Sequence, residues 1–166
     1  FSWKDIDRIK TYCDLPIIIK GIVTKEDAIL AVEHGVEVIY VSNHGGRQLD
    51  FGLGGLKVLP EIVDAVGKDA TIFFDGGIMR GTDVIKALSL GADVVGIGRL
   101  QGLAAAAGGS KAIYRMLELL ELEIITCLRL LGVNDITDLN SDILTKDDSF
   151  GTLDALSAFP LINEGY

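Results

Sequence analysis

Four short apolar segments of this 166-residue chain each run into residues able to do chemistry. Lys20-Gly21 follows Ile17-Ile18-Ile19, and Ser42-Asn43-His44-Gly45-Gly46-Arg47 follows Val38-Ile39-Tyr40-Val41. Asp75-Gly76-Gly77 follows Thr71-Ile72-Phe73-Phe74, and Gly98-Arg99 follows Val94-Val95-Gly96-Ile97. An imidazole is the side chain best suited to taking a proton near neutral pH, and His44 supplies one. Arg47, three positions on, can grip a carboxylate with two parallel hydrogen bonds. Together they suit an acidic substrate that loses a proton beside its anchored acid group. Lys20 can stabilise negative charge developing on a ligand, or form a Schiff base. Glycines at two turns, Gly76-Gly77 and Gly98, let backbone N–H groups approach a phosphate, and Arg99 can add a paired contact. His34 precedes Gly35 at a helix end, where a surface or capping role is expected.

These residues need elements to hold them. The four apolar runs are continuous rather than alternating, the pattern of parallel strands covered on both faces. Helical spacing of apolar residues occupies 25–34, 55–66 and 82–90. Strand–helix–strand units joined this way predict a parallel sheet with right-handed crossovers. The chain also repeats itself at an offset of 56: Gly21-Ile22 matches Gly77-Ile78, Asp27 matches Asp83, and Ile29 matches Ile85. Gly35 matches Gly91, and Val38 matches Val94. A repeated βα unit is the pattern of a (β/α)₈ barrel and fits a doubly wound sheet less well. Reactive groups at the C-terminal ends of strands, with a phosphate site after the last two, belong to that architecture.

Only four strands are legible, half of what a barrel needs. The expected fold is α/β, the last four βα units of a (β/α)₈ barrel. A small-residue stretch at 102–109, a long helix over 110–131 and a Gly132 cap follow. The barrel part is placed at 1–132 and an irregular tail at 133–166, wrapping a neighbouring surface or fraying.

Composition narrows the classes. Hydrophobic residues make up 49% and charged residues 23%, so the chain is globular. A net charge of −9 argues against nucleic acid as a partner. Mean hydropathy is +0.39, yet no apolar run is long enough to span a membrane, so the surplus predicts a core or a covered interface. The opening residues lack a secretory leader pattern, and a soluble intracellular protein is expected. Cys13 and Cys127 have no ligand-like neighbours, which predicts two buried thiols rather than a metal site or a disulfide.

The motif set resembles the FMN-dependent (S)-2-hydroxy-acid oxidases and dehydrogenases, the family of glycolate oxidase, lactate oxidase and the flavin domain of flavocytochrome b2. The resemblance rests on 16–21, on 42–50 ending in Gln48-Leu49-Asp50, on Asp75-Gly76-Gly77 with Arg80-Gly81-Thr82-Asp83, and on Gly98-Arg99. It is strong to about residue 135 and weaker at 163–166. It implies FMN as cofactor. It implies His44 as the active-site base, Arg47 on the substrate carboxylate, and Lys20 and Ser42 against the flavin ring system. Asp75, Gly76, Gly77, Arg80, Gly98 and Arg99 would line the ribityl phosphate. It also implies a tetrameric assembly.

Two local departures stand out: Met79 where the family usually has the first arginine of a pair, and Leu100 where it has proline. The family's N-terminal four strands, with substrate-contacting tyrosines and the aspartate that orients the histidine, have no counterpart. The expected activity is therefore oxidation of a 2-hydroxy acid such as lactate or glycolate, in a barrel completed by an N-terminal half, with the chain alone inactive. Two rival expectations are a non-catalytic half-barrel serving as an interaction subunit, and another phosphate-binding barrel of the IMP dehydrogenase type.

Overall fold

The structure, a computed structural model, describes residues 2–146. Four strands, β1 (Ile18–Ile22), β2 (Val38–Val41), β3 (Thr71–Asp75) and β4 (Val94–Gly96), form one parallel sheet in chain order. Helices α2 (Lys25–Glu33), α3 (Gly55–Val66) and α4 (Gly81–Ser89) make the crossovers. An unexpected first helix, α1 (Trp3–Lys10), precedes β1. It starts where the Asp5 carboxylate accepts the Ser2 backbone N–H at 2.8 Å, and it buries Ile6. Lys10 then bonds the Gly35 carbonyl and Glu37, while Trp3 stacks on His34. His34 caps the end of α2 and meets Asp7 at 2.6 Å.

Register sorts the side chains into two sets. Ile39, Val41, Ile72 and Phe74 point to one face and are fully buried, forming a core with Val58, Leu59 and Ile62 of α3 and with Ala28 and Ala31 of α2. Cross-strand partners Lys20, Tyr40, Phe73 and Val94 share the other face, with Asp75 and Gly96 one step further along. That face is open: Ile18 keeps 52% of its surface and Val94 42%. The continuous apolar runs predicted cover on both faces, and here only one is covered. The reason is the number of elements, since every crossover helix packs on the same side of four strands. The outer edges of β1 and β4 have no strand partner among the described residues.

Boundaries shift where glycine intervenes. Lys20 was expected to end its strand, but β1 continues to Ile22 through a bulge at Gly21. Gly21 sits at φ +106°, a conformation open to a residue without Cβ, and the ladder resumes at Ile22 against Val41. The stretch expected as a small-residue connection is helical over 102–107. Helix α5 (Arg99–Leu131) begins at Arg99 and breaks at Gly108 and Gly109, so the expected 110–131 helix is its second part. Gly132 ends it in the left-handed conformation. Short 3₁₀ turns at Ile136–Asp138 and Ser141–Ile143 follow. The rest of the expected tail, including Pro160 and 163–166, lies outside the described residues. Cys13 and Cys127 are free and half-buried, where buried thiols were expected. Among the described residues no helix is long and apolar enough to cross a membrane.

Candidate active site

At the C-terminal ends of the strands lies a cleft of about 490 Å³. Eight of the ten candidate residues line it: Lys20, His44, Arg47, Asp75, Gly76, Gly77, Gly98 and Arg99. Ser42 and Arg80 do not. Ser42 is fully buried beneath the cleft, where its Oγ accepts the Lys20 ammonium at 2.8 Å and the His44 backbone N–H at 3.2 Å. Arg80 turns away to Glu123 on α5, with Nε at 2.8 Å and Nη2 at 2.7 Å from the same carboxylate oxygen.

The loop after β2 is shaped by its own side chains. Asn43 Oδ1 accepts the Gly46 N–H, and its Nδ2 donates to the Leu53 carbonyl, both at 3.2 Å. His44, Gly45 and Gly46 all have positive φ, which turns the loop back over the sheet. The His44 ring then lies against Gly21; a Cβ there would come within 2.8 Å of its Cε1. A bulge glycine on one strand therefore makes room for the imidazole from the next. Arg99, at the start of α5, donates to the Gly45 carbonyl at 2.7 Å and ties the fourth strand's turn to the second's. Arg47 faces the cleft without a side-chain partner among the described residues.

The cleft floor belongs to the open sheet face. Lys20 Nζ pairs with Asp75 Oδ2 at 2.8 Å and lies 4.7 Å from the centre of the Tyr40 ring. Burial, then the charge and hydrogen bond of Asp75, push the Tyr40 phenol up from its ordinary value. The third wall is the turn after β3. The Asp83 carboxylate accepts the Met79 and Arg80 N–H groups at 3.1 and 3.0 Å, and Glu123 accepts the Gly81 N–H at 2.7 Å. Hydrogen bonds from Arg80 and Gly81 hold the Glu123 carboxyl below its usual range, and Glu123 in turn raises Arg80.

The sum is a cationic cleft in an acidic chain. Lys20, Arg47 and Arg99 face it, and its one carboxylate, Asp75, is paired with Lys20. Cβ atoms added at Gly77 and Gly98 would meet nothing within 4 Å, so both backbones border open space. The arrangement can hold an anionic group against the glycine turns and an acid beside the imidazole. Sequence reasoning missed Tyr40, hidden within an apolar strand, and the lining residues Gln48 and Ile78. The period-2 register, which puts Tyr40 on the same face as Lys20, was the available signal for the first.

Comparisons with known proteins agree on a family. Over 148 residues the chain is 46% identical to "L-lactate dehydrogenase (cytochrome)" of Wickerhamomyces anomalus, covering 86% of this chain and 26% of that protein. It is 44% identical over 145 residues to "L-lactate oxidase" of a Nostoc species, covering 86% and 39%. A crystal structure of mandelate oxidase with benzoyl-formic acid superposes with a TM-score of 0.80 at 42% identity, covering 82% of this chain and 41% of that one. The chain thus spans well under half the length of these relatives, and its four βα units are a partial (β/α)₈ barrel. Residues 1–146 match the sequence model described as FMN-dependent dehydrogenase, and the chain belongs to that FMN-dependent family.

Proposed function

We propose that this chain is the C-terminal part, with its barrel units in residues 1–132, of an FMN-dependent oxidoreductase that converts an (S)-2-hydroxy acid to the 2-oxo acid. An N-terminal half completes the barrel, contributed by preceding sequence or by another chain. The observation that carries this reading is the convergence of His44 and Arg47 from one loop on a cleft that also holds Lys20 and two glycine turns.

The residues fit FMN. Open space beside Gly77 and Gly98, together with Arg99, suits a phosphate, and Lys20 adds a cation in the same cleft. Bound there, the flavin supplies the two-electron acceptor that no side chain provides. Arg47 grips the substrate carboxylate and fixes the hydroxyl-bearing carbon beside His44. The His44 imidazole takes the proton released as the substrate is oxidised. Lys20, held by Ser42 and Asp75, offsets negative charge accumulating at its end of the cleft. Ser42 acts from beneath by orienting both Lys20 and the His44 backbone. Gln48 and Met79 complete the walls.

One observation favours a second reading, a half-barrel that has lost cofactor binding and serves as an interaction subunit. Met79 brings no charge to the phosphate end, and Arg80 is committed to Glu123. A single experiment separates the two. The chain is combined with an N-terminal half and excess FMN, then exposed anaerobically to (S)-lactate, glycolate or (S)-mandelate. The enzyme reading predicts retained flavin absorbance that bleaches with at least one acid. It also predicts bleaching about 10²- to 10⁴-fold slower in His44→Asn. A folded complex that retains no flavin overturns it in favour of the second reading.

A further inference from the structure

We infer that Tyr40 is a positioning residue of the cleft: its ring and hydroxyl, reaching from β2 across β3, set the Lys20–Asp75 pair where it faces the ligand. The relevance to flavin rests on the function proposed above, whereas the placement itself does not.

Lys20, Tyr40 and Phe73 are direct cross-strand partners, so their side chains rise side by side from the open face. Tyr40 is flanked by a cation on β1 and an aromatic ring on β3. The Phe73 ring meets it edge-on at 5.6 Å, with 71° between planes, which fixes the tilt of the phenol. The Lys20 ammonium sits 4.7 Å above the ring centre, within range of a cation–π attraction. The same ammonium bonds Asp75 at 2.8 Å and Ser42 at 2.8 Å. Ring, carboxylate and hydroxyl therefore restrain Lys20 from three directions.

The phenol's far end does a second job. Its oxygen extends to Gly96 on β4, occupying the place a side chain there would take. The Asp75 side chain borders the same spot, 3.3 Å from a Cβ added at Gly96. Thus Gly96 gives the hydroxyl its room beside the Asp75 side chain. The raised Tyr40 phenol agrees with a protonated donor beside a carboxylate. With a leucine at 40, Asp75 would lose the neighbouring hydroxyl and Lys20 the ring beneath it.

The test uses the full chain with ¹⁵N-labelled lysine and ¹³C-labelled aspartate, without cofactor, in three forms: native, Tyr40→Phe and Tyr40→Leu. The native protein should show one lysine side chain with upfield-shifted protons from the Tyr40 ring. Tyr40→Phe should keep that shift but move the Asp75 carboxyl carbon signal, since only the hydroxyl is gone. Tyr40→Leu should abolish both. A Lys20 signal unchanged in Tyr40→Leu, or an Asp75 signal unchanged in Tyr40→Phe, overturns the inference. In the completed barrel, FMN affinity measured by fluorescence quenching should fall roughly 3- to 10-fold in Tyr40→Phe and further in Tyr40→Leu, with circular dichroism unchanged. Equal FMN affinity in all three overturns the positioning role. Failure of the native barrel to bind FMN would instead count against the proposed function, leaving the spectroscopic result standing.

Discussion

The two faces of the sheet are made from the same four strands, and they behave as different materials. On the helix-covered face, Ile39, Val41, Ile72 and Phe74 are packed to exclusion of water. On the open face, apolar Ile18 and Val38 lie toward one end, Lys20, Tyr40, Phe73 and Val94 form the next row, and Asp75 lies beyond them. The contrast teaches that stability and chemistry are separated by strand parity. A residue's odd or even place decides whether it contributes to holding this chain together or to facing a ligand and the rest of a barrel. It also accounts for the high mean hydropathy. The apolar end of the open face is surface in this chain, and large apolar residues of α5 such as Leu103, Leu122 and Leu130 are exposed as well.

The largest effect should come from breaking the covered face. Phe74→Ala deletes a fully buried ring and should cost about 3–5 kcal/mol in urea unfolding, enough to unfold much of the population. Its neighbour Phe73 points the other way, and Phe73→Ala should cost about 1 kcal/mol in the same assay. Adding an N-terminal half should raise the second cost and leave the first nearly unchanged. Equal costs for the two phenylalanines would abolish the distinction between faces.

A smaller effect is expected at the junction of the two faces, Gly21. Its left-handed backbone makes Gly21→Ala cost about 1–2 kcal/mol, and the added methyl meets the His44 ring. The imidazole must swing away, so flavin reduction in the completed enzyme should slow by more than the stability loss accounts for. Stopped-flow reduction rates beside urea midpoints would show this. A rate equal to that of the native protein would mean that His44 does not depend on the bulge.

What the sequence disclosed follows from the same separation. The repeat of glycines, acidic helix starts and apolar runs revealed the βα units because each signal is local. The strand-end motifs revealed the cleft because a parallel sheet puts all such ends together. Three things stayed hidden. Helix α1 is short and draws its anchoring from distant Gly35, His34 and Glu37. The Gly21 bulge is a matter of register, which a single strand's sequence does not reveal. The commitment of Arg80 to Glu123 spans 43 positions and depends on how closely α4 and α5 approach at Gly81.

That last contact supplies the mildest prediction, on the margin where the cleft's third wall meets α5. Glu123 is held below its usual range by Arg80 and the Gly81 N–H, so its folded-state value lies under its unfolded one. A depressed carboxyl stabilises the fold above the unfolded value and ceases to do so as pH falls through the folded one. The native chain should therefore lose stability partly through Glu123 as pH falls below the carboxyl's ordinary value of 4.5. Glu123→Gln should flatten that segment of the curve while lowering Tm at pH 7 by only about 2–3 °C, since the ion pair is largely exposed to solvent. Its effect on the covered face should be negligible, and its effect on the turn at 75–80 should appear as faster amide exchange at Gly81. Identical pH profiles for native and Glu123→Gln would show that the wall is held by Asp83 alone.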